Sequence, residues 1–194
     1  MWVFRSCKTT AMPFYHQLGK IPPKRHTQFR KEDGTLHYEQ LFGTIGFVGM
    51  SSLLYHLHRP TMVKRVGQSV DVRPQAAVEN NLLSRKLEGF QVKPNEDYLK
   101  SRVPVLFNSD VTILLSAPSK SMAEDAFYKN SDGDEVVFVH EGAGTLHTML
   151  GQIPFSAGDY LVIPRGIIHR FAFDSSENRL FITESAHPVY SPKR

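Results

Sequence analysis

Gly158-Asp159-Tyr160-Leu161-Val162-Ile163-Pro164-Arg165-Gly166-Ile167-Ile168-His169 is the stretch whose reading decides the fold. An apolar run leads into Pro-x-Gly, and a histidine follows three residues after the glycine. A run bounded in this way by turn residues reads as strand, tight turn, strand. Working outward, Glu135–His140, Thr145–Leu150, Asp159–Pro164, Ile167–Phe173 and Arg179–Glu184 are all strand-like, and Gly142, Gly144, Gly151, Gly158 and Gly166 punctuate them. Ser51–Arg59 and Val111–Ala117 add two more. Short strands at this spacing predict an all-β barrel or sandwich. The best candidate for a helix is Ala76–Leu87.

The composition narrows the function classes. The chain has 194 residues, 41% of them apolar and 22% charged, enough for a domain with a sizeable core. The net charge of +4 comes without any dense Lys/Arg tract interleaved with aromatics, which argues against nucleic-acid binding. No apolar run approaches the roughly 18 residues of a membrane span. Cys7 is the only cysteine, which excludes an internal disulfide or thiolate cluster and fits a reducing compartment; a cytoplasmic location is expected. The first 31 residues lack Asp and Glu but carry Arg5, Lys8, Lys20, Lys24, Arg25, Arg30 and Lys31. That resembles a transit peptide in charge, but Pro13, Pro22 and Pro23 would interrupt its amphipathic helix and favour a basic, extended arm.

Strand alternation puts Ile167, His169 and Phe171 on one apolar face, so His169 is expected to point inward. The Pro164-to-His169 spacing resembles the second signature motif of the cupin β-barrels, in which such a histidine is usually a metal ligand. The first cupin motif carries a histidine pair, then a glutamate, then a glycine seven residues later. Glu135 and Gly142 keep that last spacing, and Glu135 shares its face with Val137 and Val139. The histidine pair would fall at or near Tyr128/Lys129 and Asn130/Ser131, and none of these is histidine. Glu135 and His169 alone do not supply the three protein ligands of a non-haem iron site. The expectation is a metal-free barrel, with Glu135 and His169 paired to each other or to backbone groups. They remain the only metal candidates at cupin positions. His56 and His58 would share a face of one strand, but no carboxylate is near them in sequence. His140 is expected on the outer face. No Ser/His/Asp nucleophile arrangement occurs, and Gly43–Gly49 lacks the Lys-Ser/Thr of a phosphate loop.

Longer segments carry a more specific resemblance. They are Met12-Pro13-Phe14-Tyr15-His16, Leu41-Phe42-Gly43-Thr44, Ser52–Pro60, Val105–Val111 and Phe127–Gly142. From Met12 onward the chain resembles the N-terminal, cupin-like half of the homogentisate 1,2-dioxygenase family. The resemblance implies a cupin-type (jelly-roll) β-barrel with an extended N-terminal arm and few short helices. Its expected layout is a poorly ordered lead at 1–11, an extended region packing strands on the barrel at 12–110, and the barrel core at 111–194, in one structural domain. It also implies an enzyme that uses Fe(II) and O2 to open the ring of homogentisate, giving maleylacetoacetate, in tyrosine and phenylalanine breakdown. Family members are about twice as long and assemble as homo-oligomers. Their iron ligands and acid/base histidine lie in the C-terminal half. No residue here is therefore assigned a catalytic or cofactor-binding role, and the chain is expected to be inactive alone. A stand-alone cupin that binds a small acid or metal, and a structural subunit that assembles with a separate catalytic half, are the alternatives.

Overall fold

The computed structural model describes residues 2–4, 28–60, 62–78 and 83–190. Met12–His16 lies outside them, as do Cys7, His26 and the rest of the lead beyond Trp2–Phe4. The contacts divide the chain into two units, Lys20–Arg73 and the remainder.

The smaller unit contains one antiparallel hairpin. Strands β2 (Tyr38–Ile45) and β3 (Val48–His56) pair from Tyr38↔His56 to Ile45↔Val48. Gly46, at φ +62, closes their turn, so the glycines of Gly43–Gly49 serve a hairpin.

The larger unit holds two antiparallel sheets. β1 (Trp2–Phe4), β4 (Arg102–Phe107), β5 (Val111–Ser116), β6 (Asp134–Glu141), β9 (Tyr160–Ile163) and β11 (Arg179–Ser185) form a six-stranded sheet in the order β1-β9-β6-β11-β5-β4. β7 (Gly144–Thr148), β8 (Gly151–Phe155) and β10 (His169–Phe173) form the second, in the order β10-β7-β8. Alternation selects the buried faces. Val137, Val139, Leu161, Ile163, Leu180 and Ile182 come from the first sheet, and Leu146, Ile153, Phe155 and Phe171 from the second. Burying each such side chain contributes roughly 1.5–3 kcal/mol. Tyr98 stacks on Phe171 at 4.2 Å between ring centroids and joins this core.

The stretch from Gly158 to His169 is not a hairpin. Its two strands belong to different sheets, and Pro164-Arg165-Gly166-Ile167 is the corner between them. Ile167 N donates to Pro164 O at 3.2 Å, with Gly166 at φ +84 in the turn position that requires it. The corner is held from outside. Arg165 N donates to Asp134 Oδ1 (2.9 Å), and Gly166 N to Asn130 O (2.7 Å).

The all-β expectation holds, and all seven strands expected from the sequence are present with small shifts at their ends. The helix expected at Ala76–Leu87 does not: residues 76–78 and 83–87 are irregular, while 79–82 lie outside the described residues. Its apolar residues are exposed, Val78 at 97% and Leu83 at 65%. With no face to bury, helical propensity alone does not order so short a segment. The one helical turn among the described residues is the 3-10 segment Gly89–Gln91, just downstream.

Gly142 ends β6 at φ +102, and a Cβ there would sit 2.1 Å from Asn178 Oδ1. Asn178 is buried and donates to Pro118 O and Ser175 O at 3.0 and 2.8 Å. Gly142→Ala therefore combines backbone strain with displacement of a satisfied amide and is expected to lower stability by roughly 2–4 kcal/mol, read from the midpoint of urea denaturation.

Candidate functional site

The barrel interior contains a polar cluster built around Glu135, which is fully buried. Four chain segments, together with the turn that carries Tyr98, assemble it. β6 directs Glu135 inward together with Val137 and Val139, and β11 places Glu184 directly opposite in register, so both carboxylates lie on the inner face. β4 contributes Arg102 from its first residue. Residues 128–130 run beside β10, where Tyr128 and His169 exchange backbone hydrogen bonds of 2.8 and 2.9 Å. This pairing brings Tyr128 and Asn130 to the carboxylates.

Every Glu135 oxygen is engaged. Tyr98 Oη donates to Oε2 at 2.9 Å; Asn130 Nδ2 and Arg102 Nη1 donate to Oε1 at 3.0 and 3.3 Å. Arg102 Nη2 donates to Glu184 Oε1, which also receives Asn130 Nδ2 at 3.1 Å. Asn130 Oδ1 in turn accepts from Asp132 N and Gly133 N, both at 3.0 Å, which orients the amide. The guanidinium lies over the rings of Tyr98 and Tyr128 at 5.3 and 5.7 Å.

His169 is also fully buried. Its Nδ1 lies 3.0 Å from Ile167 O; a carbonyl only accepts, so Nδ1 carries the proton. Nε2 then presents a lone pair with no hydrogen-bond partner, 3.9 Å from Glu135 Oε2, and Tyr128 packs edge-on against the ring at 5.3 Å.

Charge is distributed accordingly. Burial lowers the His169 pKa and keeps the ring neutral near pH 7, outweighing the nearby Glu135 charge. Burial alone would raise Glu135, but the Arg102 charge, the neighbouring imidazole and the Asn130 and Tyr98 hydrogen bonds bring it below its ordinary value. Glu184 goes the other way, raised by burial and by the Glu135 charge against the pull of Arg102. Arg102 remains cationic: desolvation is outweighed by the Tyr98, Glu135 and Glu184 interactions. Burial also raises Tyr98 and Tyr128, so both phenols stay protonated.

The donor set does not fit iron. At the positions where a metal-binding cupin carries its histidine pair stand Tyr128 and Asn130, and Asn130 turns its amide nitrogen, a donor, toward Glu135. The guanidinium and the Tyr98 hydroxyl occupy the carboxylate's lone pairs. Among the described residues, no group of three or more His, Cys, Asp or Glu could hold a metal ion.

The inward placement of Glu135 and His169 follows the sequence expectation. Their pairing is only through space: 3.9 Å exceeds a hydrogen bond, and each bonds elsewhere. His56 Nε2 donates to Gln40 Oε1 (2.8 Å), and His58 falls beyond the end of β3, so the expected shared strand face does not form. His140 is exposed on the outer face, edge-on to Phe90 at 5.3 Å. Arg102, Tyr98 and Glu184 were not singled out in the sequence. An arginine opening the apolar run Arg102–Phe107, and a glutamate closing Leu180–Ile182, were the available signals.

Two antiparallel sheets closed around this inward-facing Glu/His pair define a cupin-type β-barrel. Residues 98–192 match the family described as "Homogentisate 1,2-dioxygenase N-terminal", which bears out the family resemblance read from the sequence. A protein of Saccharolobus solfataricus, provisionally named a dioxygenase, is 36% identical over 173 residues, covering 89% of this chain and 44% of that protein. A homogentisate 1,2-dioxygenase of Emericella nidulans is 35% identical over 72 residues, 37% of this chain and 16% of that one. The chain thus spans less than half the length of these relatives. Among solved structures, a cupin-2 domain protein of Shewanella frigidimarina aligns with TM-score 0.39 and 24% identity over 47% of this chain and 83% of its own. A cupin superfamily protein of Desulfitobacterium hafniense aligns with TM-score 0.43 and 16% identity, over 57% and 98%.

His169 yields a pH prediction. Its folded-state pKa lies below the ordinary 6.5, so the unfolded chain takes up the proton first as pH falls. The stability it contributes is full above pH 6.5 and is lost as pH drops through the folded-state value. Wild type should therefore lose more stability than His169→Leu between about pH 7.5 and 5.5, in urea titrations at each pH. Parallel curves would show that the ring is not held neutral.

Proposed function

We propose that this chain is the N-terminal, non-catalytic barrel of a homogentisate-type ring-cleaving dioxygenase. The observation that carries this reading is the site's chemistry within the matched family segment. Residues 98–192 match the N-terminal family of that enzyme, and the barrel they build has Tyr128, Asn130 and Arg102 around Glu135 where iron would need histidines. The iron-binding residues then lie in a separate C-terminal half, consistent with relatives more than twice as long as the matched region. In that reading the whole enzyme uses Fe(II) and O2 to convert homogentisate to maleylacetoacetate, in the cytoplasm, as a homo-oligomer serving tyrosine and phenylalanine breakdown.

No helix among the described residues is long and apolar enough to cross a membrane. The outer surface of the barrel offers a cavity of about 450 Å³ lined by Phe90, Phe138, Phe181 and Leu115. Its lining is mostly apolar, with His140, Glu88 and Arg179 among the polar residues.

The test is oxygen uptake. The purified chain, supplied with Fe(II), ascorbate and homogentisate, is expected to consume no oxygen above the protein-free control. Co-expression with the unmatched remainder of the Saccharolobus solfataricus relative is expected to give a complex that does. Ring opening by the chain alone would overturn the reading.

A further inference from the structure

The register of β6 and β11 sets Glu135 opposite Glu184 on the inner face of the sheet. Like charges directly across a strand pair repel, and here one of them, Glu135, is fully buried while Glu184 is 27% exposed. The fold therefore requires a cation between them. Arg102 is the cation present: one guanidinium nitrogen bonds each carboxylate, and its side chain is only 10% exposed. Two tyrosine rings flank it, and Asn130 bridges the same two carboxylate oxygens.

We propose that Arg102 is the cation that holds Glu135 and Glu184 together without any bound metal ion, as a covalently built, pH-insensitive charge. The interior of this barrel is then complete without metal. Three features support the assignment. First, the guanidinium and Asn130 Nδ2 both donate to Glu135 Oε1. Second, the guanidinium is planar and always charged, so it bridges two carboxylates without any ligand having to be recruited. Third, Glu135 Oε2, the oxygen 3.9 Å from the unpartnered His169 Nε2, is itself taken by the Tyr98 hydroxyl at 2.9 Å. The inference concerns the barrel alone and stands whether or not the chain serves a dioxygenase.

The experiment measures thermal unfolding of the full chain with two variants. Wild type should carry no stoichiometric divalent metal by elemental analysis, and EDTA should leave its melting temperature unchanged. Arg102→Met keeps the length of the side chain but strands Glu135 and Glu184, so its melting temperature should fall by roughly 10 °C or more. Adding Glu135→Gln to Arg102→Met removes one stranded charge and should recover part of that loss. Such recovery is the readout that mere loss of packing would not give. A melting temperature that drops in EDTA, a bound stoichiometric metal, or a double variant no more stable than Arg102→Met would each overturn the proposal. Should neither variant fold, the wild-type metal and EDTA measurements decide it alone.

Discussion

The interior of the larger unit depends on one buried charge arrangement. Glu135 and Glu184 face each other across two hydrogen-bonded strands, and Arg102 lies between them. A carboxylate with no exposure costs several kcal/mol unless its lone pairs are filled. Here Tyr98, Asn130 and Arg102 donate three hydrogen bonds to Glu135, engaging both of its oxygens. Because those three come from three separate segments, the arrangement also fixes where β4, the 97–101 turn and the 128–130 segment meet. A register slip of one residue in β11 would turn Glu184 outward and leave the guanidinium half-compensated.

The same segment links cluster and corner. Asn130 spends its side-chain amide on the two carboxylates, its side-chain oxygen on the turn at Asp132 and Gly133, and its backbone carbonyl on Gly166. Asp134 adds a second tie. Its two oxygens accept from Arg165 N and Val189 N, both at 2.9 Å, so one buried carboxylate clamps the corner and the chain's last described segment to the start of β6. The corner that carries His169 from one sheet to the other is thus positioned by groups more than 30 residues away.

In functional terms, the interior has the shape of a cupin site with different chemistry. A metal site needs lone pairs aimed at a common point. Most of these side chains present protons instead: the guanidinium, two phenols kept protonated by burial, and an amide nitrogen. His169 Nε2 presents a buried lone pair without a hydrogen-bond partner. Such a cluster organises a scaffold by tying separate segments to one buried carboxylate.

Much of this was readable from residue order. Alternation of apolar residues located seven strands and turned Glu135 and His169 inward, because burial of one strand face is a local, period-two property. The motif spacings pointed to the barrel, and the longer segments around them to the family that residues 98–192 match. Three things were decided only in the tertiary structure. The Pro164–Ile167 corner joins two sheets instead of closing a hairpin, because pairing partners are set by which faces must share a core. No helix forms in the described part of Ala76–Leu87, because Val78 and Leu83 stay exposed and bury no helical face. And the cation of the site is Arg102, 33 residues from Glu135, because a charge partner is chosen by strand register and desolvation, neither of which is written in the residues adjacent to it.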